Sequence, residues 1–220
     1  MSGLTAILAG ATGLVGGECL KRLIAADEYS RVIVVTRRDL GDAARHEKVR
    51  QAIIEFDQLG GLRRSLRGDH VFCALGTTIR KAGSQASFRQ VDFEYPLRLA
   101  QLTRMNGAGH FSVVSALGAS RSSPFFYSRV KGEMEEGLRG MDWPSLAIFR
   151  PSLIAGDRAE SRPLERLSER LLRWAPSTWQ PVAASDIAAA MVATALRSPA
   201  GVTVVESRDI PALARKGARR

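Results

Sequence analysis

Residues 4–16, which read LTAILAGATGLVG, decide the fold of this chain. The first part of this stretch, residues 4–9, is a nearly continuous apolar run, which predicts a short buried strand. Gly10, Gly13 and Gly16 follow in the spacing G-x-x-G-x-x-G, and residues 17–24 then have the apolar periodicity of an amphipathic helix. The local order is therefore a strand, a glycine-rich turn and a helix.

This order is the one that a phosphate-binding turn requires. Glycine adopts a positive φ without strain, and its missing Cβ lets backbone N–H groups approach a pyrophosphate. The positive N-terminal end of the following helix then stabilises the bound anion. A tight turn without a ligand is the alternative interpretation of the same glycines. The sequence favours a dinucleotide-binding loop, whose candidate contacts are Gly10, Thr12, Gly13, Leu14, Val15 and Gly16.

The composition indicates one globular domain that can bury a core. The chain has 220 residues, of which 45% are hydrophobic and 25% are charged, as in ordinary globular proteins. Its net charge of +10 points toward nucleic acid, a membrane surface or a phosphorylated ligand. The basic residues are scattered, however, and acidic residues interrupt them within 158–170. We therefore interpret the charge as solvated helix faces with a basic tail, and expect neither a nucleic-acid nor a membrane partner.

The cysteine and hydropathy patterns bear on the compartment. Cys19 and Cys73 lie in apolar surroundings, and the sequence has neither a disulfide framework nor a metal-ligand spacing. No basic segment precedes the first apolar run, and no run approaches the ~20 residues of a membrane span. These observations predict a cytoplasmic protein without a metal site. They leave the oligomeric state open, with a homodimer as one candidate.

Strand and helix patterns alternate along the chain. Apolar or β-branched runs predict strands at residues 4–9, 31–36, 52–56, 70–75, 110–114, 145–150 and 202–205. Helices are predicted at 58–67, 88–105, 124–138, 164–174 and 187–196, the last with Ser185 and Asp186 as its N-cap. This alternation predicts an α/β fold with a doubly wound parallel sheet. We expect a single domain over residues 1–220, in which 151–220 contributes a small substrate-side lobe.

The carboxyl ends of the strands are the place to look for ligand contacts, since open α/β sheets bind ligands there. Arg37 and Arg38 follow the second strand, where NAD-binding proteins carry an acidic residue for the ribose 2′-hydroxyl. A guanidinium instead pairs with a 2′-phosphate through charge-assisted hydrogen bonds. We therefore predict NADP as the cofactor. Asp39 can accept a hydrogen bond from the 2′-hydroxyl, which keeps NAD as the alternative.

Two further strand ends supply candidate cofactor contacts. Asp57 follows the third strand and can face the adenine amino group, although a surface carboxylate explains it equally well. Leu75, Gly76 and Thr77 end the fourth strand. The glycine permits close approach of the chain to the cofactor, and the threonine can donate to a ribose or phosphate oxygen. A plain turn with capping hydroxyls is the alternative for this second stretch.

The fifth strand end and the helix after it carry the candidate chemistry. Ser115 follows the strand, and Tyr127 and Lys131 lie four residues apart on one face of the predicted helix. An ammonium beside a phenol stabilises the phenolate, so such a tyrosine can pass a proton to a carbonyl oxygen while a hydride reaches the carbon. Ser115 can hydrogen-bond the same oxygen. We therefore predict that Ser115, Tyr127 and Lys131 are catalytic.

Together these motifs resemble the atypical group of short-chain dehydrogenases/reductases over nearly the whole chain. The matching segments are GATGLVG at 10–16, CALGTT at 73–78, VS at 114–115, YSRVK at 127–131 and RPS at 150–152. LGTTIRKAGS at 75–84 and the short C-terminal part are similar to the branch of the Tat-interacting protein of 30 kDa.

The resemblance implies a Rossmann fold, NADP binding and a catalytic triad of Ser115, Tyr127 and Lys131. It also implies that Lys131 holds the nicotinamide ribose hydroxyls, and that Pro151 and Leu153 lie at the nicotinamide end. The sequence departs from the family at the proton relay. Typical members have an asparagine on the helix after the fourth strand; this chain has Asp92 near the expected place, and its Asn106 is interpreted as a helix stop.

The substrate side is less specific. The chain lacks a large substrate lobe, so residues 156–181 are expected to cover a small hydrophobic carbonyl compound, although simple packing onto the sheet also explains them. The sequence as a whole predicts an NADP(H)-dependent oxidoreductase acting on a small carbonyl/alcohol substrate. A redox-sensing regulator that binds NADP(H) with little or no turnover is the alternative.

Overall fold

A seven-stranded sheet and a two-stranded sheet organise the described residues, which are 3–62, 65–155 and 180–217 of a computed structural model. Their strands are β1 (Leu4–Ala9), β2 (Tyr29–Thr36), β3 (Val49–Ile53), β4 (His70–Cys73), β5 (His110–Val114), β6 (Ser145–Arg150), β7 (Ile154–Ala155), β8 (Val182–Ala183) and β9 (Gly201–Glu206). The main sheet has the order β3-β2-β1-β4-β5-β6-β9, and all its neighbouring strands are parallel. The short strands β7 and β8 pair with each other.

Helices follow most of these strands. Within the described ranges they are α1 (Leu14–Ala25), α2 (Ile79–Ala82), α3 (Gln85–Arg89), α4 (Tyr95–Met105), α5 (Phe126–Arg139), α6 (Ala184–Arg197) and α7 (Ile210–Gly217). A π-helical turn at Gln90–Glu94 joins α3 to α4, and 3-10 turns occur at Gly41–Arg45, Phe56–Leu62 and Ser207–Asp209. None of the helices in these ranges is long and apolar enough to cross a membrane.

The core consists of two apolar layers, one on each face of the main sheet. Successive side chains of a strand point to opposite faces, so Leu8 joins the layer under α1 and α6, and Ile7 joins the layer under α4 and α5. Both side chains are fully buried. Because helices cover both faces, the run of β1 is nearly continuously apolar rather than alternating, with Thr5 as its one polar residue. The prediction of a doubly wound α/β fold is confirmed.

The third strand lies earlier in the chain than predicted. The sequence pattern places it at 52–56, but β3 is Val49–Ile53, in which Val49 is buried and pairs with Val32. Phe56 instead stacks on Tyr95, with ring centroids 5.2 Å apart. The prediction followed the apolar residues at the end of this segment. Phe56, the last of them, lies after the strand and packs on a helix residue instead of pairing in the sheet.

The predicted helix at 88–105 consists of the end of α3, the π-helical turn and α4, and two further helix predictions are wrong in their bounds. The segment predicted as a helix at 58–67 contains a 3-10 turn at Phe56–Leu62, because its adjacent Gly60 and Gly61 disfavour an α-helix. Helix α6 begins at Ala184 with Ala183 as its N-cap, so Asp186 lies in the first turn. A carboxylate in that position still interacts favourably with the positive end of the helix dipole.

The described C-terminal residues complete the main sheet. Strand β9 pairs with β6 at its edge, and α6 packs against α1. The predicted helix at 164–174 and most of the predicted substrate cover, including Leu171, Leu172, Trp174 and Trp179, lie outside the described residues. The substrate-side lobe of 151–220 therefore stays a prediction.

Candidate dinucleotide site and active site

The glycine-rich loop joins β1 to α1 at the carboxyl edge of the sheet. Gly10 has a φ of +91°, and a Cβ on this residue would lie 2.4 Å from the Ala74 carbonyl oxygen, so the turn requires glycine for both reasons. A Cβ on Gly16 would lie 2.0 Å from the Gly10 carbonyl oxygen. Gly13 is the N-cap of α1, and its N–H donates to Gly10 at 2.9 Å. The loop therefore folds tightly onto itself at the start of the helix.

The first residues of α1 supply free backbone donors. Leu14 begins the helix, and Val15 and Gly16 are buried within its first turn. The first intrahelical bond of this end runs from the Gly17 N–H to the Gly13 carbonyl at 2.9 Å. Since the N–H groups before Gly17 have no acceptor inside the helix, they suit an anion placed at this end.

A cavity of about 410 Å³ lies beside this loop, where β1, β2 and β4 end. Three cationic side chains line it, namely Arg37, Arg38 and Lys81, and none of them has an ion-pair partner among the described residues. The rest of the wall consists of the glycine-rich loop, the turn after β4, and apolar and polar side chains, among them Gly10, Thr12, Gly13, Val35, Phe56, Leu75, Gly76, Thr77, Ser87, Gln90, Val91 and Tyr95. Free amides, unpaired cations and apolar walls are what a bound dinucleotide requires.

Asp57 is bound to the residues around this cavity. Its carboxylate accepts hydrogen bonds from Gln90 at 3.2 Å, from the Tyr95 hydroxyl at 3.2 Å and from Arg98 at 3.0 Å. Gln90 and Tyr95 themselves line the cavity. Asp57 therefore anchors part of the wall, and its contact with an adenine amino group stays a prediction.

Lys131 extends from α5 into a buried position, where it pairs with Asp92. The Lys131 Nζ lies 2.7 Å from Asp92 Oδ1, and only 4% and 1% of the two side chains are exposed. The ammonium also donates to the Val114 carbonyl at 3.4 Å. Burial lowers the pKa of Lys131, but the Asp92 carboxylate and Tyr127 outweigh this effect and raise the pKa above its ordinary value. The lysine is therefore held as a cation beside the end of β5.

Tyr127 lies one helical turn before Lys131. It is 40% exposed, and its ring packs against Phe88 with centroids 5.7 Å apart. Both residues lie on α5, one turn apart and on one helix face, and Tyr127 is among the groups that raise the pKa of Lys131. The ring of Tyr127 is thus supported on one side and accessible on the other.

Ser115 belongs to a different hydrogen-bond network from Lys131. It is buried at the end of β5, and its hydroxyl donates to Glu135 Oε1 at 2.5 Å. Arg150 donates to both oxygens of the same carboxylate, at 3.0 and 2.6 Å, and to Glu206 at 3.1 Å. The hydroxyl proton of Ser115 is therefore engaged by Glu135.

The residues after β6 differ in accessibility. Pro151 is buried, and its carbonyl accepts from the Leu117 N–H at 2.8 Å. Leu153 is half exposed, and its carbonyl accepts from the Val182 N–H at 2.8 Å. Both backbone carbonyls are thus occupied. Leu153 offers an apolar side chain as a contact, and the predicted nicotinamide contacts of both residues stay predictions.

Sequence reasoning did not find the contacts of three side chains of this region. Lys81 belongs to the matching segment 75–84, but nothing in that segment indicates that its side chain lines the cavity. Asp92 was recognised as a departure from the family, but helical periodicity does not place this π-helical residue beside Lys131. Glu135 did leave a signal, because Tyr127, Lys131 and Glu135 follow one another at intervals of four residues on α5. That spacing puts the carboxylate on the same helix face as the proposed catalytic pair.

Comparison with known proteins finds relatives that share most of the chain. Protein HTATIP2 of Rattus norvegicus is 35% identical over 181 residues, which cover 81% of this chain and 74% of the relative. "Protein FMP52, mitochondrial" of Candida albicans is 29% identical over 194 residues, which cover 84% of each chain. The corresponding protein of Emericella nidulans is 34% identical over 166 residues, 73% of this chain and 71% of the relative. No protein-family model matches the chain.

Solved structures share the fold at low sequence identity. An oxidoreductase of the short chain dehydrogenase/reductase family from Burkholderia thailandensis has a TM-score of 0.72 at 17% identity, covering 94% of this chain and 92% of that one. MoeE5, solved with UDP-glucose and NAD, has a TM-score of 0.71 at 17% identity, covering 96% of this chain and 81% of its own. These similarities confirm the Rossmann fold.

The predicted location needs correction. The FMP52 relatives from several fungi are mitochondrial proteins by name, which contradicts the prediction of a cytoplasmic protein. That prediction rested on the lack of a visible signal and of a long apolar run. It was wrong because organelle targeting does not require a long apolar run.

Proposed function

Since the chain belongs to the atypical short-chain dehydrogenase/reductase family, in the branch that contains HTATIP2, we propose that it is an NADP(H)-dependent oxidoreductase acting on a small carbonyl/alcohol substrate. The observation that best supports this proposal is the cavity beside the glycine-rich loop. It combines the free N-terminal end of α1 with the unpaired cations Arg37, Arg38 and Lys81. Such a site suits a dinucleotide that carries an additional phosphate.

The neighbourhood of Arg37 and Arg38 supports NADP over NAD. The alternative was that Asp39 accepts a hydrogen bond from a ribose 2′-hydroxyl. The Asp39 carboxylate already accepts from the Gly41 N–H at 3.0 Å and from Gln51 at 3.2 Å, and these bonds lower its pKa. These bonds turn Asp39 Oδ1 toward the protein, and Asp39 is not among the residues that line the cavity, whereas Arg37 and Arg38 are. The position of the two guanidinium groups therefore supports a 2′-phosphate as the ribose substituent.

The proposed mechanism assigns proton transfer to Tyr127 and charge stabilisation to Lys131. A bound nicotinamide would supply or accept the hydride. The accessible Tyr127 hydroxyl donates a proton to the substrate carbonyl oxygen, and the Lys131 ammonium stabilises the resulting phenolate. Lys131 also holds the ribose hydroxyls, as it does in the family. Ser115 orients the substrate oxygen only if its hydroxyl turns away from Glu135, since one hydroxyl has one proton to donate.

Steady-state oxidation of NADPH with a panel of carbonyl compounds tests this proposal. UDP-glucose, with which MoeE5 was solved, has alcohol groups and no free carbonyl, so it is tested in the opposite direction, by the reduction of NADP+. Tyr127→Phe removes the proton donor and keeps the ring against Phe88. We therefore expect kcat to fall by at least about 100-fold while NADPH binding stays within about twofold. Tyr29→Phe, at the amino end of β2, is the matched control and should leave kcat unchanged. Full activity in Tyr127→Phe would exclude the mechanism.

A regulatory protein that binds NADP(H) with little turnover is the second candidate function. The engagement of the Ser115 hydroxyl by Glu135 favours it, because this arrangement leaves the substrate oxygen without its predicted second donor. Micromolar NADPH binding with only background turnover across the panel would support the regulator. Turnover that depends on Tyr127 would support the enzyme.

A further inference from the structure

A buried carboxylate connects the predicted catalytic lysine to the dinucleotide cavity. Asp92 uses one oxygen for each of two donors on different elements: Oδ1 lies 2.7 Å from Lys131 Nζ, and Oδ2 accepts from the Thr77 N–H at 2.9 Å. Thr77 belongs to the cavity wall after β4. The π-helical turn Gln90–Glu94 holds Asp92 at this position, and such turns are often found at functional sites.

Asp92 is the one carboxylate that faces Lys131 among the described residues. The other groups that act on the ammonium are the Tyr127 hydroxyl, the Cys73 thiol and the Val114 carbonyl. Burial raises the pKa of Cys73 to about 11, so this thiol is neutral near pH 7. A lysine as buried as Lys131 loses its proton readily when no anion is near. The positive charge at this position therefore depends on Asp92.

An asparagine cannot perform both tasks of this carboxylate. An amide offers one carbonyl oxygen, while the Thr77 N–H and the Lys131 ammonium are both donors. Its NH2 group would meet one of these donors and would repel it. Buried ion pairs contribute little to stability compared with apolar residues of the same volume. Stability alone therefore does not explain why Asp92 and Lys131 are paired here.

We infer that Asp92 is a positioning residue that acts through Lys131, keeping the ammonium charged and fixed while tying it to the Thr77 end of the dinucleotide cavity. The inference rests on the proposed function, in which Lys131 holds the nicotinamide ribose. It assigns a role to a carboxylate that lies near the place where typical family members have an asparagine. Asp92 itself touches neither the substrate nor the reacting atoms.

The dissociation constant of NADPH between pH 7 and pH 9.5, followed by nicotinamide fluorescence, tests this role without requiring turnover. We expect wild-type binding to be nearly flat with pH. In Asp92→Asn the buried lysine loses its proton within this range, so binding should weaken by about tenfold for each pH unit above the midpoint. Lys131→Met should bind weakly and without pH dependence, and so should the double variant.

Unfolding in urea provides a second readout that does not depend on the cofactor. Each single variant leaves one buried charge without its partner, so the urea midpoint should fall by about 1 M or more. The double variant Asp92→Asn/Lys131→Met carries no unpaired charge and should recover most of that loss. If the double variant instead loses as much stability as the two single variants together, the residues do not act through each other.

The outcomes separate this inference from the proposed function. An Asp92→Asn profile parallel to that of the wild type, with only a constant offset, would overturn the role of Asp92 and leave the oxidoreductase proposal standing. Wild-type affinity for NADPH in Lys131→Met at every pH would instead refute the assignment of Lys131 to the ribose. The urea cycle still reports in that case whether Asp92 and Lys131 are coupled.

Discussion

At the residue scale, Arg37 and Arg38 make the choice between the two dinucleotides testable. Both line the cavity, and neither has an ion-pair partner among the described residues. The double variant Arg37→Ala/Arg38→Ala should weaken NADPH binding by about 100-fold and NADH binding by less than about threefold, since only NADPH carries the 2′-phosphate. Fluorescence titration with the two dinucleotides at equal ionic strength measures both constants.

Arg31→Ala is the matched control for this pair. Arg31 is an exposed residue of the same strand, β2, and its removal lowers the net charge without touching the cavity. It should leave both dissociation constants unchanged. An equal loss of NADH and NADPH affinity in the double arginine variant would mean that the arginines serve the common part of the dinucleotide, and NADP preference would have to be abandoned.

At the element scale, the strand–turn–helix unit assigns different tasks to neighbouring glycines. A Cβ on Gly16 would overlap the Gly10 carbonyl, whereas a Cβ on Gly13 would lie 3.3 Å from the same oxygen. We expect Gly16→Ala to lower the free energy of unfolding by about 2 kcal/mol or more. Gly13→Ala should fold nearly as well as the wild type but lose at least about tenfold in NADPH affinity, because its methyl group meets the phosphate.

Gly17→Ala serves as the control within the same helix. A Cβ there would be in ordinary contact with the Ala11 carbonyl at 3.5 Å. Replacing a helical glycine by alanine should therefore raise the free energy of unfolding by about 0.5–1 kcal/mol. Urea unfolding and NADPH titration of the three variants check the assignment. Equal stability of Gly13→Ala and Gly16→Ala would contradict it.

The sequence allowed the prediction of elements whose apolar pattern matches their burial. Strands β1, β5 and β6 were predicted with their observed bounds, because all three are covered on both faces. The edge strand β3 was misplaced, since its half-exposed residues VRQAI are less apolar than the residues that follow. The apolar pattern of a segment therefore predicts strands that are covered on both faces, and it misplaces the strand at the edge of the sheet.

The candidate site also combines features that the local sequence predicts with contacts that it does not predict. The glycine loop, the two arginines and the tyrosine–lysine pair are local motifs, and the sequence predicts their proximity to the cavity or to each other. The partners of Lys131 and Ser115 are not local: Asp92 lies 39 positions before the lysine, and Glu135 lies 20 positions after the serine. Contacts of this kind follow from packing. The four-residue spacing on α5 indicates the helix face on which Glu135 lies, but it does not indicate that Glu135 pairs with Ser115.

At the scale of the whole molecule, a buried histidine pair lies at the amino ends of β4 and β5, the end of the sheet opposite the dinucleotide cavity. His110 is fully buried, and its two ring nitrogens lie 2.8 Å from Ser145 Oγ and 2.7 Å from Ser112 Oγ. The ring of His70 lies 5.6 Å away. Burial, together with the nearby His70, lowers the pKa of His110 to about 3.

This arrangement predicts that the fold loses stability in mild acid. The folded protein takes up a proton on His110 only near pH 3, whereas the unfolded chain does so near pH 6.5. Between these values the unfolded state binds more protons than the folded state. The contribution of His110 to the free energy of unfolding is therefore complete above pH 6.5 and is lost progressively as the pH falls toward 3. Protonation of this one histidine therefore lowers the free energy of unfolding by a total on the order of 5 kcal/mol.

Urea midpoints of the wild type and of His110→Gln at pH 7.5, 6, 5 and 4 measure this contribution. The variant keeps a polar side chain at the site and cannot titrate, so we expect it to be less stable at pH 7.5 and to fall less steeply with acid. Carboxylates act equally in both proteins and cancel in the difference. Parallel curves would mean that His110 does not govern acid stability. Because the pair lies far from the cavity, NADPH affinity of the folded variant at pH 7.5 should equal that of the wild type.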